Sequence, residues 1–314
     1  MGTKSNRTAL LALLVVTIIW GWTFSWMKEA IDTSLAQLGD ALPLVVGVFM
    51  VIRFGLAALL MPLIVPASRT AMMSRPVWRD GGILAVFLLL GFLLQMFGLE
   101  GVDPAVSAFL TSLYVAFTAI ITAGLERRAP GWVALIGVTL VTIGAAFISG
   151  PPQLSFDVPE WLTVLCATLF AGHIVATDRV SRRSPPLSVA WTSFVWVWLG
   201  SMVLFWYGWS LRPDVTWEQL LGLVGTESFL RPAILAGLLG SLVALSLLTN
   251  FQRHLTPVRA AILYSLEPVW AAFIALALGQ VTADGWLLFG GGLLLIGNLW
   301  MEIWPRLRPS KGVH

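Results

Sequence analysis

Apolar segments of roughly twenty residues follow one another along almost the whole chain, a pattern that no soluble fold accommodates. They are read at about 8–28, 43–66, 81–98, 103–124, 131–149, 161–178, 188–207, 232–250, 258–279 and 286–304. Each is long enough to cross a hydrocarbon layer of about 30 Å as a helix. Composition agrees: 58% of the 314 residues are hydrophobic and 11% are charged, where a soluble domain carries about 25% charged residues. An ordinary soluble enzyme, a nucleic-acid binder and a disordered chain are excluded. The expected fold is an all-α integral membrane protein with ten transmembrane helices. A single cysteine, Cys166, excludes disulfides within the chain and thiolate metal clusters.

Charge placement gives orientation. Alternate turns hold Lys4 and Arg7; Arg69, Arg75 and Arg79; Arg127 and Arg128; Arg179, Arg182 and Arg183; Arg253; and Arg306, Arg308 and Lys311. The opposite turns hold only Arg212 and Arg231 among basic residues. They carry most acids instead, including Glu29, Asp32, Asp40, Glu100, Asp103, Asp157, Glu160 and Asp284. Basic loops stay in the cytoplasm, so both termini are expected there, in a multi-pass protein of the cytoplasmic (inner) membrane. The first segment has no small-residue cleavage site and runs on through Trp20, Trp22, Phe24 and Trp26, so it reads as a retained span rather than a signal peptide. Between 208 and 231, Thr216–Leu221 reads as a capped amphipathic helix on the outer surface.

The chain repeats itself. VDPAVSAFLTSLYVAFTAIITAGLE from Val102 aligns with LTPVRAAILYSLEPVWAAFIALALG from Leu255 at an offset of 153 residues. Pro104 meets Pro257, Ala108 meets Ala261, Ser112 meets Ser265 and Tyr114 meets Glu267. Trp20–Lys28 matches Phe170–Asp178 more loosely. Two halves follow, 1–150 and 151–314, each of five spans. Five is odd, so the second half is expected to insert upside down. Inverted repeats are a mark of secondary transporters, with the solute site between the halves.

Several strings in a characteristic order carry a resemblance: WGWTFSWMK at Trp20–Lys28, Arg53-Phe54, GFLLQMFGLEGVDPAVSAFLTSLYV at Gly91–Val115, LERRAPGW at Leu125–Trp132, AGHIVATDR at Ala171–Arg179 and YSLEPVWAAFIALALG at Tyr264–Gly279. In these the chain resembles the EamA family of the drug/metabolite transporter superfamily, over nearly its whole length. The resemblance implies ten spans, two inverted repeats, alternating access and movement of small organic solutes without ATP hydrolysis. One departure bears on the site. Thr118-Ala119 stand where the family usually has a proline in span four, so a helix break there is expected to be altered; Pro268 is kept in span nine. Gln280, where a glutamate often follows the glycine, is expected to be peripheral.

Ionisable groups at mid-depth are costly in a membrane and need a reason. Glu267, followed by Pro268, either binds a cationic substrate or a coupling proton, or locks the fold by pairing with Arg53. Arg53 either clamps a substrate carboxylate or makes a structural contact. Tyr114, the repeat mate of Glu267, and Tyr264 are candidates for the cavity wall. Trp20, Trp22 and Trp270 offer aromatic faces for an ammonium group or pack against lipid and core. Trp196 and Trp198, two residues apart, do not share a helix face. His173 is a proton relay or a helix–helix partner, and Gln95 a solute contact or interhelical glue. Lys28 is a gate or snorkels to the surface. Asp178, Arg179, Asn250, Arg253 and Arg259 are candidates for an inner gate.

The expected function is therefore secondary active transport of a small organic metabolite: an amine or quaternary ammonium, an amino acid, or an amphipathic drug-like solute. No cofactor or metal is expected. The partners are the solute, a coupling proton and the bilayer; oligomeric state stays open. Two other classes are an intramembrane enzyme and a receptor or scaffold. The histidines His173, His254 and His314 share no ligand spacing, and no G-x-S-x-G or H-E-x-x-H occurs. A receptor or scaffold would not need an inverted repeat or a mid-depth carboxylate.

Overall fold

A computed structural model of the chain describes residues 2–70, 72–127, 132–147, 151, 156–255, 260, 263, 264 and 266–307. Every regular element among them is helical. The first half comprises α1 (Gly2–Leu38), α2 (Leu42–Ile64), α3 (Arg75–Gly101), the consecutive pieces α4 (Pro104–Thr111) and α5 (Tyr114–Leu125), and α6 (Trp132–Phe147). The second comprises α7 (Val158–Arg183), α8 (Pro186–Leu211), α9 (Trp217–Gly225), α10 (Glu227–Leu235), a π-helical stretch Ala236–Val243, α11 (Ala244–Phe251), α12 (Glu267–Ala277) and α13 (Gly285–Leu307).

Seven stretches are long and apolar enough to cross a membrane: Thr8–Leu38, Leu42–Ile64, Arg75–Gly101, Pro104–Leu125, Val158–Arg183, Pro186–Leu211 and Glu227–His254. The chain is a multi-pass membrane protein. The segments expected at 131–149, 258–279 and 286–304 correspond to shorter apolar helices, Leu135–Phe147, Glu267–Ala277 and Gly285–Trp300. Parts of the first two, at 131, 148, 149, 258, 259, 261, 262 and 265, fall outside the described residues. Arg128, Pro257, Arg259, Ala261, Ser265, Arg308, Lys311 and His314 also lie outside them. The expected capped helix is present as α9. Thr216 Oγ1 accepts from the Gln219 N–H at 3.2 Å, and Gln219 Oε1 accepts from the Thr216 N–H at 2.8 Å.

Helix packing depends on small residues, because apolar side chains gain little by leaving lipid for one another. α2 and α8 meet backbone to backbone. A Cβ added to Gly47 would lie 2.7 Å from Phe205 Cα, and one added to Gly208 would lie 2.5 Å from Leu44 Cα. α1 touches helices of both halves, among them α2, α3, α11 and α12. α6 and α13 pack closely on each other, with Gly144 against the Gly290 carbonyl.

An ionic tie joins α3 to the turn between α7 and α8. The Asp80 side chain is almost fully buried. It accepts from Arg183 Nε at 2.9 Å and from Ser184 Oγ at 2.7 Å, while Arg183 Nη2 binds its other oxygen. By contrast, Asp178 pairs with Arg182 at 2.8 Å within one helix, where the arginine is 57% exposed.

Two outcomes are expected in thermal and denaturant unfolding of the detergent-solubilised protein. Asp80→Asn loses charge-assisted bonds and costs about 2 kcal/mol, whereas Asp178→Asn costs less than about 1 kcal/mol. Equal losses would refute the buried tie. Gly208→Leu forces α8 away from α2 and costs about 1–3 kcal/mol by overpacking; an unchanged midpoint would refute the close approach.

Candidate functional site

Breaks in the helices shape the site. α4 ends at Thr111 and α5 starts at Tyr114, although no proline stands there. Ser112 makes the break. Its Oγ donates to the Phe109 carbonyl at 2.6 Å, while Asn298 Nδ2 on α13 donates to Ser112 Oγ at 3.2 Å and lies 3.4 Å from its carbonyl. Thr118-Ala119, where the altered break is expected, lie inside the unbroken α5, so the break stands six residues earlier and is made by other groups. α12 starts at Glu267, with Pro268 in its first turn. There the missing proline N–H is no loss, since first-turn N–H groups have no intrahelical acceptor. The third irregularity is the π-helical stretch, whose Gly240 carbonyl accepts from Trp20 Nε1 at 3.2 Å.

The first two places border one cavity, about 490 Å³ of empty space including space open to solvent, and the third reaches it through Trp20. Trp20, Gln95, Tyr114, His173, Tyr264 and Glu267 line it, six of the residues singled out from sequence. Glu267 is buried, and its Oε2 accepts from the Tyr114 hydroxyl at 3.1 Å. The Trp20 and Tyr264 ring centroids are 5.7 Å apart, and those of Tyr114 and Tyr264 are 6.5 Å apart. Tyr264 donates to Gln252 Oε1 at 3.2 Å, and Gln252 Nε2 donates to the Ile174 carbonyl at 2.9 Å. The wall is completed by Thr23, Leu88, Phe92, Thr111, Phe170, Ile174, Leu245 and Leu248, which sequence reading did not single out. The repeat held the signal for several of them. Thr111 is the mate of Tyr264, and the looser match pairs Trp20 with Phe170 and Thr23 with His173.

Three candidates lie off the cavity. Arg53 is fully buried, but its guanidinium is behind Phe92, 4.0 Å from the ring centroid. Its Nε donates to Ser241 Oγ at 2.9 Å. No ion pair joins it to Glu267, so the expected structural lock between them is not what the structure contains. Trp22 is 37% exposed and stacks on Trp26. The Trp270 Cβ packs so closely on α1 that a Cβ at Gly21 would lie 2.7 Å from it. Trp196 and Trp198 are likewise off the cavity; the first donates to the Trp78 carbonyl and the second packs on Gly55.

The gate candidates are not brought together. Asp178 is satisfied by Arg182, and Arg179 and Arg253 are exposed. At that end of the bundle the helices are tied instead by Asp80 with Arg183 and Ser184. Lys28, at the opposite end, lies 3.2 Å from Asp32 and donates to the Glu100 carbonyl at 3.0 Å. Among the described residues no group of three or more His, Cys, Asp or Glu is placed to hold a metal ion. Chemically, the cavity presents one carboxylate and several aromatic faces, with no lysine or arginine among the described residues of its wall.

Comparison with known proteins matches the model of the EamA-like transporter family twice, over residues 7–150 and 159–302. An uncharacterized transporter of Archaeoglobus fulgidus is 25% identical over 288 residues, covering 91% of this chain and 83% of that protein. A solved crystal structure, described only as that of a protein, superposes with a TM-score of 0.62 at 16% identity. The match covers 97% of this chain and all of the other, and it speaks to fold alone.

Placing Arg53 behind the wall has a measurable consequence. Arg53→Lys keeps the charge but loses the planar group stacked on Phe92. It is expected to lower the unfolding midpoint of the detergent-solubilised protein. An unchanged midpoint would refute the contact with Phe92.

Proposed function

This chain belongs to the EamA-like transporter family, and we propose that it is a secondary carrier that exchanges small organic ammonium ions for protons by alternating access. In this reading ten spans form two inverted five-helix halves, 1–150 and 151–314, with both termini in the cytoplasm. The halves rock about the central cavity. The protein works in the cytoplasmic membrane.

The observation that carries the reading is Glu267: a buried carboxylate, facing an aromatic cavity, with a phenol as its partner and, among the described residues, no cation beside it. Burying a carboxylate without a counter-charge is costly. A proton or an ammonium ion relieves that cost, and one carboxylate takes one of them at a time. Mutual exclusion of the two ligands is what couples their movements. Tyr114 donates to the carboxylate when no cation is bound. Trp20 and Tyr264 offer ring faces, which attract an ammonium group through their quadrupoles. Gln95 and His173 complete the polar part of the wall. An amino-acid substrate would need a partner for its carboxylate, and Arg53, the candidate for that role, is screened by Phe92.

The test uses purified protein in liposomes with benzyltrimethylammonium as probe. An outward proton gradient is expected to drive its movement with wild-type protein. Glu267→Gln is expected to abolish that drive while leaving expression intact. Thermal shift gives a second readout: a probe at about 100 times its Kd stabilises the wild type by about 2.7 kcal/mol, and this vanishes in Glu267→Gln. Transport by the variant that still follows the pH gradient would refute the coupling role.

A further inference from the structure

A second pocket opens at the Lys28 end of the bundle, on helices that also line the cavity. It encloses about 770 Å³, including space open to solvent. Its wall includes Lys28, Glu100, Asp103, Glu160, Thr282 and Asp284. On three of the helices it begins close to the cavity. Lys28 follows Thr23, Glu100 follows Gln95, and Val106 precedes Thr111, in each case by about 7 Å of helix.

Four carboxylates share this wall with a single ammonium, and that ammonium is already engaged. Lys28 lies against Asp32, outside the pocket wall, and against the Glu100 carbonyl. The two arginines of the loops expected on this side are engaged elsewhere, Arg231 with Glu29 and Glu227, and Arg212 with Asp214. Asp284 caps α13 by accepting from the Leu287 N–H at 2.7 Å. Glu160 differs from all of these. It is 8% exposed, it faces the pocket, and it has no hydrogen-bond or ion-pair partner among the described residues. Its place in the first turn of α7 gives it the favourable end of a helix dipole, a term of about 0.3–1 kcal/mol. No basic side chain pairs with it among the described residues. The acids are too dispersed to chelate a metal ion, so the fitting ligand is a bulky monovalent cation with a diffuse charge.

We propose that this pocket is an antechamber that concentrates organic ammonium ions at the mouth of the central cavity. Its position on the route to Glu267 rests on the carrier reading above; its selectivity for cations does not. A cleft of one charge sign raises the local concentration of counter-ions by about 10- to 1,000-fold.

The test reads the local field without transport. Thr282→Cys is made in a Cys166→Ala background of the full chain. It is labelled with the trimethylammonium-ethyl or the sulfonato-ethyl methanethiosulfonate, and the rates are measured by mass spectrometry. The cationic-to-anionic rate ratio is expected to exceed that of free N-acetylcysteine by about tenfold or more at low salt. It should fall to within about threefold of the free thiol in about 0.5 M sodium chloride. Adding Glu160→Gln with Asp103→Asn should lower it in the same way. The salt arm keeps every carboxylate, so it holds where an acid variant does not fold. A ratio equal to that of the free thiol, or one indifferent to salt, overturns the antechamber. A strong bias in a protein that moves no benzyltrimethylammonium supports the antechamber and counts against the carrier reading. Proton-driven transport without the bias does the reverse.

Discussion

In lipid, a backbone N–H or C=O without a partner has no water to turn to, so irregular backbone survives only where protein or a water-filled cavity covers it. This chain interrupts its apolar helices at Ser112–Leu113, at Ala236–Val243 and at the start of α12. The first and the last border the same cavity, and the second meets Trp20 of its wall. Each is served by a nearby group: Ser112 with Asn298, the Trp20 indole on the Gly240 carbonyl, and a proline where no donor is needed. The cavity is thus where the fold's backbone exceptions collect. The rest of the molecule, with α2 against α8 and α6 against α13, stays regular and closely packed through glycine.

The same economy governs charge. Arg53 and Glu267 are both buried within apolar segments, and the structure treats them differently. Arg53 is anchored by Ser241, a residue of the π-helical stretch, and covered by the Phe92 ring. It therefore braces the wall from behind. Glu267 faces inward with only a phenol for company. Separating the two leaves the cavity with one sign of charge. An Arg53–Glu267 pair would have neutralised the site and removed its preference for cations.

What the sequence made legible follows from what local patterns encode. Membrane insertion was readable because segment length and loop charge are one-dimensional. The meeting of Tyr114 and Glu267 was foreshadowed by the repeat, since residues 153 apart in the two copies hydrogen-bond in the structure. Trp22 follows Trp20 by two residues, which on a helix turns it to another face, so only Trp20 reaches the cavity. The fate of Arg53 was not legible, because Phe92, the ring that covers it, is brought in by a different helix. Nor was the Asp80 tie, whose partner Arg183 is 103 residues away. The break after Thr111 was hidden for another reason: serine and asparagine disrupt a helix only when their partners are in place, whereas proline does so by itself.

Repeat mates line the cavity in pairs, Thr111 with Tyr264 and Tyr114 with Glu267, yet neither pair is identical. Identity would have been a poor solution. Two carboxylates facing each other would repel and titrate as a coupled pair, taking up protons in two steps. Two phenols would leave the cavity uncharged. Divergence at one position makes a donor of one mate and an acceptor of the other, 3.1 Å apart. It also leaves a single negative charge at the centre. Under the proposed exchange, that charge sets the stoichiometry, because it is satisfied by one proton or one ammonium ion and never by both. In that proposal a two-fold scaffold would supply the rocking halves, and the loss of two-fold identity at its centre would supply the coupling.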